Sequence, residues 1–334
     1  MMQATALVCD QAMQFSLSPV ILPQLGPSDV LVKTAYSGVS IGTEFALIRN
    51  KISWGPFPIV TGYMATGIVQ AVGESVREVR PGEKVFVRGN GTMSLPNGTA
   101  ISPVSGTHCS HVITQVGGTH GLGVLPDTAS MQTASMFVIP AVGFHGVDMA
   151  EPKMGQTVVV HGCGLIGLGV VAAASLRGCK VIAVDVQDRQ LEMAKAMGAD
   201  VQINGSKTDA LAQVQALSES GADVVFECTG VPSLIDTAIA FCRNQGKFVW
   251  QGNYGQAPVS FNFLVPHGKQ LQTFFPCDDG LMPCRQTVIK HMTSGVLPWE
   301  KTITHRIEAA QAPSMFERIN QGDKDIVGMT IQWS

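Results

Sequence analysis

The stretch Thr157-Val-Val-Val-His161-Gly-Cys-Gly-Leu-Ile-Gly167 constrains this chain more than any other part of it. A β-branched apolar run meets glycines at 162, 164 and 167, an apolar helical run follows, and a second apolar run, Val181-Ile-Ala-Val, ends in Asp185. That order reads as strand, tight turn, helix and second strand with an acid at its tip, the context a dinucleotide-binding fingerprint requires. Gly162 permits the turn, Gly164 lets the backbone approach a pyrophosphate, and Gly167 lets the helix lie against the sheet. The first helical residues, Leu165 and Ile166, offer unpaired N–H groups and the positive end of the helix dipole to phosphates. Asp185 follows Gly167 by 18 residues, where a carboxylate can accept both ribose hydroxyls and would repel a 2′-phosphate. The cofactor implied is NAD(H) rather than NADP(H). Glycine turns also arise by chance, but here strand, helix, second strand and acid agree.

The same alternation continues downstream. Strands at 157–161, 180–185, 200–203, 222–227 and 246–252 are separated by helices at 165–177, 188–197, 208–219 and 232–243, which implies a parallel, doubly wound sheet with its ligand at the carboxyl ends of the strands. Further contacts expected at those ends are Arg189 over the adenine, Cys228 and Thr229 beside phosphate and ribose, Gly252 and Asn253 toward the nicotinamide, and Cys277 toward the carboxamide. Before this region the pattern differs. Apolar or alternating runs at 4–9, 30–36, 66–72 and 84–88 are punctuated by Pro and Gly, with no ten-residue helix before about residue 128; 90–106 reads as a surface loop, and 128–150 as a helix interrupted at Ile139-Pro140. The tail carries a strand at 271–275, a helix at 284–294 and a closing strand near 326–333. The fold class expected is α/β: a β-rich domain over 1–123 and 267–334, and a nucleotide-binding domain over 124–266.

With 334 residues, 45% hydrophobic and 14% charged, the chain can bury two ordinary cores and is not disordered. A net charge of −3 with no basic run argues against nucleic acid as a partner. Eight scattered cysteines, none in a CxxC pair, read as reduced thiols of a cytoplasmic protein. No signal peptide is visible, and the longest apolar stretch, 157–176, is broken by His161 and four glycines, so a membrane partner is not expected.

Several landmarks resemble the medium-chain dehydrogenase/reductase superfamily: Ser37-Gly-Val-Ser-Ile-Gly-Thr-Glu44, Pro58-Ile-Val-Thr-Gly-Tyr-Met-Ala-Thr-Gly67, Val72-Gly-Glu-Ser-Val76, Pro81-Gly-Glu-Lys-Val85 and Thr302-Ile-Thr-His-Arg306. The Ser-Ile-Gly-Thr-Glu form is similar to a branch that includes bacteriochlorophyllide a dehydrogenase and related zinc-less oxidoreductases. The resemblance implies a GroES-like β-rich catalytic domain, an inserted Rossmann domain, and homodimers formed by edge pairing of the Rossmann sheets. It also marks departures. Zinc-dependent members carry a cysteine ligand where Ser40 stands and Gly-His-Glu where Gly62-Tyr63-Met64 stands, and residues 89–108 hold no cysteine for a structural-zinc lobe. Serine, tyrosine and methionine do not make the N/S site Zn2+ favours, so no metal is expected. His108, Cys109, His111 and His120 are the one alternative metal group, and at most two of them share a strand face.

Hydride exchange with a carbonyl needs a group that stabilises or protonates its oxygen. The candidates are Tyr63, Ser40 and Thr43 as hydroxyl donors or relay, His145 as a general acid/base, and Glu44 as an orienting carboxylate or a helix cap. Thr43 is also a candidate for the nicotinamide ribose, His305 and Arg306 for an anionic or hydroxylated substrate, and Trp54 to Pro58 for an apolar pocket wall. The activity expected is zinc-independent interconversion of a secondary alcohol, cyclic or polyol-like, and its ketone with NAD(H). An NADPH-dependent enoyl or quinone reductase and a non-catalytic NAD-binding protein are the alternatives.

Overall fold

The computed structural model describes residues 1–52 and 54–333. The chain divides into two compact units, residues 1–138 with 289–334 and residues 139–288.

The first unit is β-rich. Strands Met2–Cys9, Phe15–Leu22, Met93–Ser94, Ala100–Pro103 and Ile59–Val60 close into a barrel. A second, seven-stranded sheet runs in the order Gly123–Val124, Lys84–Val87, Ala65–Val72, Val30–Val39, Gly328–Gln332 and Ile303–Glu308, with His111–Thr114 also paired to Val30–Val39. The stretch 90–106 therefore supplies two short barrel strands where a loop was expected, because its polar residues face out while Met93 and Ile101 are buried. Strand Phe15–Leu22 has no clean alternation in the sequence and contains Pro19, yet it pairs along its whole length with Met2–Cys9. The helix Ile41–Ile48 buries Phe45, Leu47 and Ile48 against Phe316 and Ile307.

The second unit is a parallel sheet in the order Val201–Asn204, Lys180–Asp185, Thr157–His161, Ala222–Glu227, Cys242–Trp250 and Gln272–Phe274, with a helix or helical turn between successive strands. Its central strands are buried on both faces, which is why they read as continuous apolar runs. The helix Val138–Ala150 runs through Pro140 without interruption, since proline in the first turn lacks only an N–H that has no intrahelical partner there.

The units divide at 138/139 and 288/289, later than the expected 123/124 and 266/267. Residues just after 123 belong with the β-rich unit, where Thr66 donates to the Met131 carbonyl and Arg306 to Gln132. Residues after 266 stay with the nucleotide-binding unit, because Gln272–Phe274 adds the sixth strand of its sheet.

Candidate functional site

At the carboxyl edge of the parallel sheet each fingerprint glycine has a separate steric reason. Gly162 adopts φ +95°, and a Cβ there would come within 2.9 Å of the Thr229 backbone nitrogen. A Cβ on Gly167 would lie 2.0 Å from the Gly162 carbonyl oxygen, so no larger residue fits between helix and turn. Gly164, by contrast, is exposed, and a Cβ there meets nothing within 4 Å. It caps the helix Leu165–Leu176 without a side-chain acceptor, leaving the first N–H groups of that helix, at Leu165 and Ile166, open to a phosphate.

Asp185 ends the next strand. Its Oδ2 accepts from the Cys163 N–H at 2.7 Å and its Oδ1 from the Gln187 N–H at 2.9 Å, which fixes the carboxylate beside the turn. Arg189 is exposed on the helix Asp188–Ala196. An open helix start, a clear space at Gly164 and a fixed carboxylate fit a pyridine dinucleotide.

One strand over, the edge is organised by a residue the sequence reading passed over. Glu227, fully buried at the end of Ala222–Glu227, accepts from the Thr229 N–H and hydroxyl, from the Gly230 N–H at 3.3 Å and from the Tyr254 hydroxyl. The Glu227 carbonyl also accepts from the N–H groups of Gln251 and Gly252, and Gly230 packs on the Asn253 backbone. One carboxylate thus ties together the loops that carry Cys228, Thr229, Gly252 and Asn253. Burial pushes the Cys228 thiol well above its ordinary pKa, so it stays protonated. Cys277 is exposed beyond the edge strand Gln272–Phe274.

Parallel register sets His161 beside Glu227. The imidazole is 8% exposed, its Nδ1 stands 3.9 Å from Glu227 Oε1, and that nitrogen has no hydrogen-bond partner. Burial lowers the His161 pKa, against the opposing pull of Glu227 and Asp185. A signal was present in the sequence: the two residues are polar tips on the apolar runs 158–160 and 224–226.

In the first unit, the structure brings together three candidates, Ser40, Thr43 and Tyr63. Ser40 and Thr43 stand beside the Tyr63 hydroxyl, and the Arg88 guanidinium lies 4.9 Å from the Tyr63 ring centroid. Burial raises the Tyr63 pKa, with Glu44 adding to the rise, while Ser40, Thr43 and Arg88 pull against it. The phenol therefore holds its proton near neutrality, as a proton donor must. Ser40 is 8% exposed and Thr43 is exposed.

Glu44 lies behind this group, fully buried. Its Oε1 accepts from the Ser40 N–H at 2.7 Å, and its Oε2 from the Thr61 hydroxyl and from His108 Nε2, both at 2.8 Å. Since a carboxylate only accepts, His108 carries its proton on Nε2. Ser37 Oγ sits 2.8 Å from His108 Nδ1 and accepts from Trp333 Nε1 at 2.8 Å. Glu44 thus caps the helix Ile41–Ile48 and anchors His108, with no hydrogen bond to Tyr63.

The remaining candidates have other surroundings. His145 belongs to the second unit, half-buried on Val138–Ala150, where its Nδ1 and the Cys284 sulfur crowd Gly280. Arg306 is engaged by Gln132 and by the carbonyls of Ile303 and Glu300, His305 by Thr304, and Trp54 is 72% exposed.

Zinc chemistry does not fit the donors in place. Ser40 and Tyr63 present hydroxyls, Met64 is buried in the core, and His108 is taken up by Glu44 and Ser37. Among the described residues no three His, Cys, Asp or Glu side chains are grouped to hold a metal ion. No helix among them is long and apolar enough to cross a membrane.

Two family models match: "Alcohol dehydrogenase GroES-like domain" over residues 26–141 and "Zinc-binding dehydrogenase" over 166–293. The chain is 32% identical to L-threonine 3-dehydrogenase of Bacillus subtilis over 258 residues, 72% of this chain and 73% of that one. It is 27% identical to D-xylulose reductase of Saccharomyces cerevisiae, covering 93% of each chain. Its fold matches that of a putative zinc-binding dehydrogenase from Sinorhizobium meliloti bound to NADP, with a TM-score of 0.84 at 23% identity, over 99% of this chain and 100% of that one.

Proposed function

The chain belongs to the medium-chain dehydrogenase/reductase superfamily, and from that premise we propose that it is an NAD(H)-dependent oxidoreductase that interconverts a secondary alcohol, cyclic or polyol-like, and its ketone without zinc. The observation that carries this reading is the Tyr63 hydroxyl beside Ser40 and Thr43, with Ser40 and Tyr63 at positions where zinc-type relatives place metal ligands and Thr43 where they place a hydroxyl relay. The xylulose reductase among its relatives supports a polyol-like substrate.

The work divides between the units. Asp185, Gly164 and the helix start at Leu165 and Ile166 hold the dinucleotide, with Arg189, Cys228, Thr229, Gly252, Asn253 and Cys277 as its further contacts. When bound, the nicotinamide supplies or accepts the hydride. In reduction the Tyr63 hydroxyl gives its proton to the forming alkoxide, and Ser40 and Thr43 pass one back. In oxidation the same path runs in reverse. Arg88 over the ring stabilises the phenolate that forms in between. His145 is the second candidate donor. Asp185 favours NAD(H), because a 2′-phosphate would meet its fixed carboxylate.

Homodimerisation is part of the proposal. Gln272–Phe274 is an edge strand, and Phe263, Leu264 and Phe275 near it are 63%, 74% and 67% exposed, an apolar surface suited to a second copy. Eight unpaired cysteines suit the reducing cytoplasm.

Kinetics on chelator-treated protein test the reading. Tyr63→Phe should lower kcat by about 10²–10⁴-fold while leaving NADH binding unchanged, and His145→Ala should do so only if that residue is the donor. A Tyr63→Phe loss under about tenfold removes the assignment. In thermal-shift titrations NADH should stabilise the protein more than NADPH, and the reverse order would overturn the cofactor preference.

A further inference from the structure

The floor of the nucleotide edge holds an acid and a base that do not quite meet. Glu227 Oε1 already accepts from the Thr229 N–H and hydroxyl, and Oε2 from the Gly230 N–H and the Tyr254 hydroxyl, so a further donor would share Oε1 with Thr229. His161 Nδ1, buried and without a hydrogen-bond partner, is 3.9 Å from Glu227 Oε1. An unprotonated Nδ1 can only accept, and the nearest acidic group can only accept as well, so the gap stays open. A proton on Nδ1 turns the same geometry into a charge-assisted hydrogen bond after a shift of about 1 Å.

We propose that His161 and Glu227 are positioning residues for the dinucleotide: binding draws one proton from solvent onto His161 Nδ1, closing the Nδ1–H···Oε1 bond that firms the loops carrying Thr229, Gly230 and Tyr254. This rests on the reading that the glycine turn takes a pyridine dinucleotide. The driving force is electrostatic. His161 immediately precedes Gly162, and a pyrophosphate received at Leu165 and Ile166 brings two negative charges to a buried imidazole that already feels two carboxylates.

The groups packed around His161 are acidic or neutral. Glu227 is on the neighbouring strand and Asp185 on the other side of the turn, both acidic. Tyr254, from the loop after Cys242–Trp250, and the thiols of Cys163 and Cys228 are all held in their neutral forms by burial. Phe241 stacks edge-on against the ring at 5.5 Å and carries no charge. No cation faces the imidazole in this set, so burial, which lowers its pKa, is opposed only by the surrounding anions. The free imidazole lies below its ordinary pKa of 6.5 and the bound one lies higher, so the proton is taken up between those two values. Affinity therefore rises as pH falls through that window, by at most tenfold per unit for a single proton.

Isothermal titration of NADH into the full chain, in buffers of differing ionisation enthalpy between about pH 5 and 8, reads the proton count directly. The expected result is uptake approaching one proton per NADH in the lower part of that range. His161→Gln should bind NADH with the affinity the unaltered protein shows at high pH, with neither uptake nor tightening on acidification. Two results overturn the proposal: NADH binding without proton uptake in the unaltered protein, or equal uptake in His161→Gln. Should His161→Gln fail to fold, His161→Asn takes its place, and the count on the unaltered protein still decides. Absence of binding by both NADH and NADPH at every pH would instead overturn the cofactor reading, and this proposal with it.

Discussion

Each unit buries one glutamate beside one histidine, and the two pairs are built differently. Glu44 and His108 meet at 2.8 Å with every polar atom engaged, through Ser40, Thr61, Ser37 and Trp333. Glu227 and His161 stop at 3.9 Å, with the imidazole nitrogen unsatisfied. The closed pair gathers residues from distant parts of the chain and fixes the His108 proton on Nε2, donated to Glu44, which is what a scaffold requires. The open pair spends its carboxylate on loops at the nucleotide edge and leaves its base short of a proton. A buried acid–imidazole pair is therefore not one kind of device. Whether the hydrogen bonds around it are complete decides whether it holds shape or responds.

Breaking the closed pair should have the largest effect. Glu44→Ala strands His108, Thr61 and the Ser40 N–H in a fully buried site, and should cost about 3–5 kcal/mol, read as a fall in denaturant midpoint. A cost below about 1 kcal/mol would show that the network is not a scaffold. On the open side, Tyr254→Phe removes one of several donors to a carboxylate that keeps the others. The expected loss is about 1.5–3 kcal/mol, smaller than that of Glu44→Ala, and equal losses would erase the distinction between the pairs.

The smallest effect is in acid. His161 is depressed in the folded chain, so the unfolded state binds its proton first. Stability is then full above the unfolded value and falls as pH drops below about 6.5, levelling off beneath the folded pKa, with a slope of at most about 1.4 kcal/mol per pH unit from this group. His111 and His291 are lowered by burial as well and add to the slope. Denaturant midpoints across pH should therefore be less acid-sensitive in His161→Gln than in the unaltered protein. An unchanged profile would mean that the imidazole does not titrate as its surroundings require.

The same contrast explains what the sequence could disclose. Gly162, Gly164 and Gly167 were legible because their roles depend on a few consecutive residues and on backbone sterics alone. The Ser40, Thr43 and Tyr63 cluster was legible through resemblance, since its members fall at motif positions. The His161–Glu227 contact depends on which strand lies next to which, a fact that no local pattern of 158–161 or 222–227 contains. The Glu44–His108–Ser37–Trp333 network spans nearly the whole chain and was equally hidden; Glu44 was read only as a cap or as an orienter of Tyr63. The barrel strands at 15–22, 93–94 and 100–103 were missed because Pro19 and short polar runs mask their alternation, and barrel closure overrides that weak local preference.

The seven-stranded sheet takes Ile303–Glu308 and Gly328–Gln332 from the far end of the chain, and Trp333 seals the Ser37 network. Order of synthesis follows from this. Residues 139–288 leave the ribosome as an uninterrupted set and can finish their sheet while the last strands of the other unit are still unmade. Until those strands arrive, Tyr36–Val39 presents an open edge and Ser37 lacks its Trp333 donor, so the segment translated first is the one completed last. The nascent chain's demand for chaperone protection should accordingly fall on its early half.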